Sequence, residues 1–290
     1  MTDTYYSDRA GGPRPRALEH IDETLWAAIL ALLDRGIEGA WFAKDFPLAC
    51  EDAKGTYACD RNSLMATVRA EIPDLGRHLY QPPVPPTLAV LDLLEFMHRH
   101  ACEASEGKYH SFYDHHHLRF DREAGQQELR KSANRLLTRA GSIYELKVDG
   151  QVTRLVPEVV AAGLRHELPA TRDAEFDHLL EASARNFLDP DPEIRGQALE
   201  KLWDAFERVK TLLDDDKKRG SELLIATATN GAAPEEAELL RDEMRCLTTI
   251  GNRFRIRHHE TRSVGLSSAQ ADHLFARMYA MLMRVHPAVR

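Results

Sequence analysis

The residues best suited to chemistry lie in one short basic segment, positions 248–262. It contains four arginines and one glutamate, a local net charge of +3: Arg253, Arg255, Arg257, Arg262 and Glu260. A guanidinium binds a phosphate through two parallel hydrogen bonds, and an imidazole can transfer a proton near neutral pH. Because residues four apart share a helix face, a helical turn here would place Arg253 and Arg257 together, with His258 beside them. These groups suit phosphodiester chemistry that needs no metal ion.

Several roles within the basic segment stay open. Either Arg253 or Arg257 can be the partner of His258, and His259 offers a spacing one residue longer. Glu260 either orients an imidazole or neutralises an arginine, and we favour neutralisation. A segment of this composition is also typical of a solvated connection between helices, so spacing alone does not assign catalysis.

A second group of candidate residues is rich in histidine. Six histidines lie within twenty positions: His98, His100, His110, His115, His116 and His117. With Cys102 and Asp114 they offer the ligand types that zinc prefers, and a zinc-dependent enzyme stays an alternative. Their spacing matches no standard site, and consecutive histidines point in different directions. We therefore interpret the stretch as a polar loop packed by Phe112 and Tyr113, and assign no metal ligand and no cofactor.

A helix followed by a β-hairpin is predicted over 123–156. Apolar residues recur at helical spacing, and Gly141 is well placed just past the end of the helix. Apolar and polar residues then alternate from Tyr144, and Asp149-Gly150 is typical of a two-residue turn in which both residues take positive φ. This order of elements indicates a winged-helix-like unit, and we expect no other strong β signal in the chain.

The helix-plus-wing element also carries cations that could contact a nucleic-acid backbone. The candidates on its helix are Arg130, Lys131 and Arg135. Nearby carboxylates cancel part of this charge. Structural packing and nucleic-acid sensing therefore both stay open for this element.

The remaining pattern predicts a mainly α protein of two domains, 1–165 and 166–290. Helical spacing of apolar residues begins at Leu18 and ends near Gly36, within an N-terminal helical region. Beyond position 168, four amphipathic stretches predict a four-helix bundle, the last of which begins with a capping box of Ser267 and Gln270.

Composition limits the function classes. The chain has 290 residues, of which 43% are hydrophobic, so it is not disordered. Lysine and arginine number 38 against 46 acidic residues, a formal charge of −8, which argues against a generally basic nucleic-acid binder. A polyanion must instead meet a local basic patch. The chain has four cysteines but no Cys-x-x-Cys pair, and we find no signal or membrane segment, so we predict a cytoplasmic protein. The sequence contains no Gly-x4-Gly-Lys-Ser/Thr loop, so we expect no ATP-driven activity within this chain.

The basic segment also carries a resemblance to a known family. Arg-Phe-Arg-Ile-Arg-His at 253–258 contains Arg-x4-His at the end of a predicted bundle helix, and in this it resembles HEPN domains. The stretches 129–155, 198–211 and 252–260 resemble bacterial abortive-infection proteins of the AbiJ type. The resemblance covers roughly 100–290, and the first hundred residues match nothing. HEPN motifs commonly have a polar residue after the arginine; here Phe254 follows it and Asn252 precedes it.

The resemblance implies a metal-independent endoribonuclease that acts as a toxin or abortive-infection effector in antiphage defence. It implies an all-α bundle that forms a homodimer, RNA as substrate, and an antitoxin or phage trigger as a further partner. The implied catalytic residues are Asn252, Arg253, Arg257, His258, His259 and Glu260, with Arg255 and Arg262 binding phosphate. The product would carry a 2′,3′-cyclic phosphate. The alternative is a non-catalytic nucleic-acid-binding or dimerisation module.

Overall fold

The structure is a computed structural model that describes residues 5–12, 14–52, 54–75, 79–156, 158–164, 169–254, 256 and 266–290. It divides into two compact units, residues 1–155 (unit 1) and 156–290 (unit 2). All four cysteines are free thiols. No described helix is long and apolar enough to cross a lipid bilayer.

Unit 1 combines helices with three small antiparallel hairpins. In chain order its elements are α1 (Tyr6–Gly11), α2 (Glu23–Glu38), β1 (Pro47–Ala49), β2 (Thr56–Cys59), α3 (Arg61–Glu71), α4 (Thr87–His100), β3 (Glu103–His110), β4 (His115–Asp121), α5 (Arg122–Ala140), β5 (Tyr144–Leu146) and β6 (Val152–Arg154). Its strands pair as β1-β2, β3-β4 and β5-β6. The core is the apolar faces of α2, α4 and α5, where Ile29, Leu94 and Leu129 are fully buried.

Capping decides where the first long helix begins. The Asp22 side chain accepts a hydrogen bond from the Leu25 N–H at 2.8 Å, so α2 begins at Glu23 and not at Leu18. Leu18 instead forms a backbone bridge with Ser142. The apolar spacing before Asp22 is therefore not helical, and that part of the sequence prediction was wrong.

Unit 1 contains two hairpins in addition to the predicted one, so the expectation of a single hairpin was wrong. The β1–β2 and β3–β4 pairs lie where irregular chain and a polar loop were expected. No side chain of β3 is fully buried, so that strand lacks the apolar alternation that makes a strand visible in sequence. β3 packs against α5 and β4 packs against β2, so tertiary contacts stabilise a hairpin that the local sequence pattern does not predict.

The helix-plus-wing order of elements is present, but its turn differs from the prediction. The Lys147 N–H bonds to the Gln151 carbonyl at 2.8 Å, and the Gly150 N–H bonds to the Lys147 carbonyl at 3.1 Å. Gly150 has φ of +88°, whereas Asp149 is not among the residues with positive φ. The connection is therefore a three-residue loop ending in a left-handed glycine, and not a two-residue turn.

Unit 2 is all helical in its described part. It contains α6 (Glu158–Leu164), α7 (Ala174–Phe187), α8 (Pro192–Val209), α9 (Lys217–Ala228), α10 (Pro234–Phe254), α11 (Ser268–Val285) and a 3-10 helix (His286–Val289). The capping box of Ser267 and Gln270 is present at the start of α11. The core lies between α7, α8 and α11, where Phe206, Phe275 and Leu282 are fully buried.

The described residues of unit 2 form one long helix more than the predicted four. Helix α9 begins with Lys-Lys-Arg-Gly and buries only Gly220, Leu224 and Ile225, so its apolar stripe is too short to identify in sequence. The Asp216 side chain caps it by accepting hydrogen bonds from the N–H groups of Lys218 and Arg219. The prediction of a four-helix bundle was incomplete at this point.

A buried ion pair connects α8 to its neighbours. Lys210, 4% exposed, donates to Glu207 at 2.7 Å and to the Thr248 hydroxyl at 2.9 Å. Glu207 also pairs with Lys217. Burial alone would raise the pKa of Glu207, but the hydrogen bonds from Lys210 and Lys217 outweigh it and lower the pKa. The pair therefore favours the charged carboxylate in the folded protein.

We expect Gly125→Ala to destabilise unit 1 by about 2–3 kcal/mol, measured by chemical denaturation. A methyl group at this position in α5 would lie 2.1 Å from the backbone carbonyl carbon of Cys102, which cannot move easily. The control is Gly196→Ala in α8, where no atom lies within 4 Å of the added carbon. That helical site should gain about 0.5–1 kcal/mol. Equal effects at both glycines would contradict the close contact.

We expect Glu207→Gln to lower the stability of unit 2 by about 3 kcal/mol at pH 7, because Lys210 stays buried without its counter-charge. The pKa of Glu207 lies below its ordinary 4.5 in the folded state, so this stabilisation is complete above pH 4.5 and is lost as the pH falls through the folded-state pKa. The variant should therefore lose less stability than wild type when the pH falls from 6 to 3, as measured by thermal unfolding at each pH. Glu222→Gln removes a half-exposed partner of Arg241 and serves as the control, with an expected loss below about 1 kcal/mol.

Candidate functional site

The basic segment begins at the end of α10. Asn252 and Arg253 lie in the last turn of this helix, and both are exposed. The helix ends at Phe254, and the N–H of buried Ile256 bonds to the Gly251 carbonyl at 3.2 Å in a turn. The α-helix therefore ends at Phe254, before the further helical turn that would bring Arg253 and Arg257 together. The expected pairing of Arg253 with His258 stays a prediction.

Six of the predicted site residues lie outside the described part of the chain. They are Arg255, Arg257, His258, His259, Glu260 and Arg262. What the structure supplies is the surroundings of the two ends of this stretch, at Phe254 and at Leu266.

A cavity of about 330 Å³ lies beside these two ends. Its walls are mainly apolar and include aromatic rings from three helices: Phe187, Phe254 and Phe275. Polar groups come from Arg195, Glu200 and Asp272. The Arg195 guanidinium is fixed by hydrogen bonds to the carbonyls of Asp189 and Pro190, at 3.3 and 2.7 Å. A flat heteroaromatic ring with polar edges suits such a lining.

A second concave surface lies between α9 and α10, with a volume of about 610 Å³. We call it the cationic groove; it is lined by Lys210, Lys217, Lys218, Ser221, Glu222, Ile225, Arg241, Met244, Arg245, Thr248 and Thr249. Three carboxylates are paired with its cations: Glu207 with Lys210 and Lys217, Glu222 with Arg241, and Asp242 with Arg245. Glu238 also lies near Arg241, so four carboxylates face five cations, and the groove stays positive in a protein of net charge −8. Sequence reasoning missed this groove because it missed α9.

The cationic groove and the basic segment share one side of α10. Arg245 and Thr249 line the groove, and Arg253 follows Thr249 by four residues, so the three lie in one row along the helix. At a rise of about 1.5 Å per residue, the row spans roughly 12 Å. The groove therefore leads toward the exposed Arg253.

The helix-plus-wing element presents fewer unpaired cations than its sequence indicates. Arg139 pairs with Asp8, Lys147 with Glu145, and the buried Arg154 with Glu19 at 3.0 Å. Of the predicted binding residues on α5, Arg130 is half-buried, whereas Lys131 and Arg135 are exposed and four residues apart. The ion pairs show that part of this charge serves packing within unit 1.

The histidine-rich stretch is divided by the fold into several environments. His98 is buried in unit 1, where burial and then Arg130 lower its pKa. His100 bonds to Asp45 at 2.8 Å. His110, His115 and His117 come together with Cys50, their donor atoms all within 4.8 Å of one another.

Cys102 and Asp114, which the sequence suggested as zinc ligands, are not part of this cluster of Cys50 and three histidines. Cys102 is fully buried and its N–H bonds to the Trp41 carbonyl, while Asp114 accepts a hydrogen bond from Tyr109 at 2.6 Å. Cys50 was not considered, because sixty residues separate it from His110 and no local spacing connects the two. Within the described residues, those that could hold a metal ion are therefore Cys50, His110, His115 and His117.

Comparison with known proteins identifies the family from unit 1. Residues 4–167, more than half of the chain, match the family described as AbiJ N-terminal domain 4. No curated protein and no solved structure matches the chain. The match includes the first hundred residues, so the expectation that they resemble nothing was wrong. The chain belongs to the AbiJ N-terminal domain 4 family, which connects it with abortive infection, a bacterial defence against phage.

Proposed function

We propose that the chain is an abortive-infection effector that cleaves RNA without a metal ion, through the basic segment of unit 2. The observation that carries this proposal is the row of Arg245, Thr249 and Arg253, which continues the cationic groove to the start of that segment. Family membership supports a role in defence. The resemblance of 253–258 to the HEPN motif supports the reaction class.

The cationic groove suits a single RNA strand. Exposed cations at a groove attract the phosphate backbone by releasing its counterions, without reading the sequence. Lys218 and Arg245 are exposed, while Lys210 is buried in its ion pair, so the first two are placed to meet phosphates. Direct contact with the backbone orients the strand along α10 toward Arg253.

The aromatic cavity next to Phe254 suits a nucleobase of the same strand. Unstacked bases bind by stacking on aromatic side chains and by hydrogen bonds to their edges. Phe254 is the half-buried ring at the cavity wall that a base can stack on, since Phe187 and Phe275 are buried and already stack on one another at 3.8 Å. Arg195, Glu200 and Asp272 line the same cavity. A base in this cavity would fix the phosphate next to it beside the basic segment.

The proposed reaction is transesterification within the RNA. His258 accepts the proton of a ribose 2′-hydroxyl, whose oxygen forms a bond to the adjacent phosphorus. Arg253 or Arg257 stabilises the charge on the non-bridging oxygens, and the bond to the 5′-oxygen breaks. The products are a 2′,3′-cyclic phosphate and a 5′-hydroxyl that takes up a proton. One histidine supplies only part of this acid–base chemistry, so the proposal includes a homodimer in which a second copy of the segment completes the site.

A second candidate function is a non-catalytic RNA-binding or dimerisation module of a defence system. The cationic groove favours this candidate as much as the first, because gripping phosphate requires no histidine. The two differ in whether His258 is needed for turnover, and an antitoxin or phage trigger would be a partner in either case.

We expect the purified protein to cleave single-stranded RNA in magnesium-free buffer with a chelator added at the start of the reaction. Products should carry 2′,3′-cyclic phosphate ends, detected by mass spectrometry. His258→Ala should reduce the rate by about 10²–10⁴-fold, because it removes the proton acceptor. His178→Ala, at an exposed position of α7, is the control and should cleave normally. RNA that stays intact although it binds would overturn the nuclease in favour of the binding module. Equal cleavage by both variants would overturn the role of His258 as proton acceptor.

We expect the double variant Lys218→Ala/Arg245→Ala to weaken binding of single-stranded RNA and to flatten its salt dependence. Two lost phosphate contacts should reduce the slope of log K against log salt by about 1.4, measured by fluorescence anisotropy. The comparison variant is Lys131→Ala/Arg135→Ala on α5, which should leave the slope unchanged. A reduced slope for the α5 variant alone would place RNA on unit 1.

A further inference from the structure

Three histidines share one face of the β3–β4 hairpin. Side chains alternate along a strand, so His115 and His117 of β4 point to one face and His116 to the other. His110 of β3 lies directly opposite His115 in the antiparallel register, which places it on the same face. The ring centres of the three histidines lie 5.3 to 5.8 Å apart.

The β1–β2 hairpin adds a cysteine to this face. Cys50 directly follows β1, and its N–H bonds to the Gly55 carbonyl at 2.8 Å. Its Sγ lies 3.5 Å from Nδ1 of His110. A Cβ at Gly55 would lie 2.6 Å from the His117 ring, so the absence of a side chain there lets the two hairpins approach.

The four donor atoms have the separation that a single small ion requires. Bond lengths of about 2.0–2.1 Å to nitrogen and 2.3 Å to sulfur put tetrahedral zinc ligands roughly 3.3–3.6 Å apart. The sulfur–nitrogen distance in the structure is 3.5 Å, and all four donors lie within 4.8 Å. Buried Nε2 atoms of His115 and His117 have no hydrogen-bond partner in the described part of the protein. Buried polar atoms rarely lack a partner, and an ion bound by the cluster would be the partner of these two nitrogen atoms.

The surroundings of His110 also match those of a metal ligand. Its Nδ1 faces Cys50, while its other ring nitrogen, Nε2, lies 3.6 Å from the Asp52 carboxylate. Histidines that bind metals generally direct the second nitrogen to a carboxylate or carbonyl, which orients the ring. Asp52 is placed for this role.

We propose that Cys50, His110, His115 and His117 bind one Zn²⁺ ion in unit 1. A thiolate with three imidazoles favours zinc over Mg²⁺ or Ca²⁺, which prefer oxygen ligands. Four protein ligands fill a tetrahedral shell and leave no position for a reacting water, so the ion is structural. It cross-links the β1–β2 and β3–β4 hairpins, each a two-stranded sheet of the kind that is marginally stable alone. The proposal is independent of RNA cleavage by unit 2.

The test uses the whole 290-residue chain, purified without a polyhistidine tag from zinc-supplemented cells. Elemental analysis should find one zinc per wild-type chain and only traces in Cys50→Ser and His115→Gln. The control is His116→Gln, which changes a histidine of the same strand that points to the other face, and it should keep the zinc. A chelator should lower the Tm of wild type and His116→Gln by about 5–15 °C but not that of Cys50→Ser.

Cobalt provides a measurement that does not depend on the stability of the variants. Wild-type protein freed of zinc should bind one Co²⁺ with the intense visible bands of a tetrahedral site and a thiolate-to-cobalt band in the near ultraviolet. Wild-type protein with only trace zinc and no such thiolate band would overturn the proposal. Loss of zinc in His116→Gln to the same extent as in His115→Gln, or stoichiometric binding of another metal in place of zinc, would also overturn it.

Discussion

Burial of helical apolar stripes is the interaction on which both units depend. In unit 2 the stripe of α8 packs with α7 and α11 around Phe206 and Phe275, which are fully buried. Each such side chain contributes about 1.5–3 kcal/mol, whereas an exposed ion pair contributes about 1 kcal/mol or less. The core therefore decides how the helices lie, and the polar residues at its edge are left for binding and chemistry. The cationic groove between α9 and α10 is one result of this division.

Charge is distributed unevenly in a way that fits a polyanionic ligand. The chain is acidic as a whole, yet positive charge collects along one side of α10 and in the basic segment after it. Several other cations are already paired, as Arg154 is with Glu19 and Arg208 with Asp173. Cations in such ion pairs stabilise the fold, whereas a cluster in which cations outnumber carboxylates attracts phosphate.

The hairpins of unit 1 are organised by a different principle from its helices. In the β1–β2 and β3–β4 hairpins apolar burial is scarce: all three side chains of β1 are exposed, and β3 buries none of its side chains fully. Backbone pairing and one close approach, at Gly55, bring the polar side chains of two hairpins together. A cysteine–histidine cluster in such a place resembles the way small domains use a metal ion where apolar burial is scarce.

Local patterns in the sequence were sufficient for most helices. The stripes of α8, α10 and α11, the capping box of Ser267 and Gln270, and the left-handed Gly141 after α5 are all present as expected, because each depends on residues within a few turns. The sequence also indicated the abortive-infection family, whereas the chemistry that it suggests for the basic segment stays a prediction. The start of α2 was misplaced because a cap at Asp22 overrides apolar spacing.

The sequence by itself therefore determined the mainly helical class and indicated which side chains could take part in binding or catalysis. Only the tertiary structure decided which of them meet. Cys50 and His110 are sixty residues apart, and the register of β3 against β4 selects His115 and His117 while turning His116 away. The cationic groove needs α9, whose short stripe is hidden among polar residues. Contacts between distant residues depend on packing and strand pairing across the whole unit, and no short window of sequence contains that information.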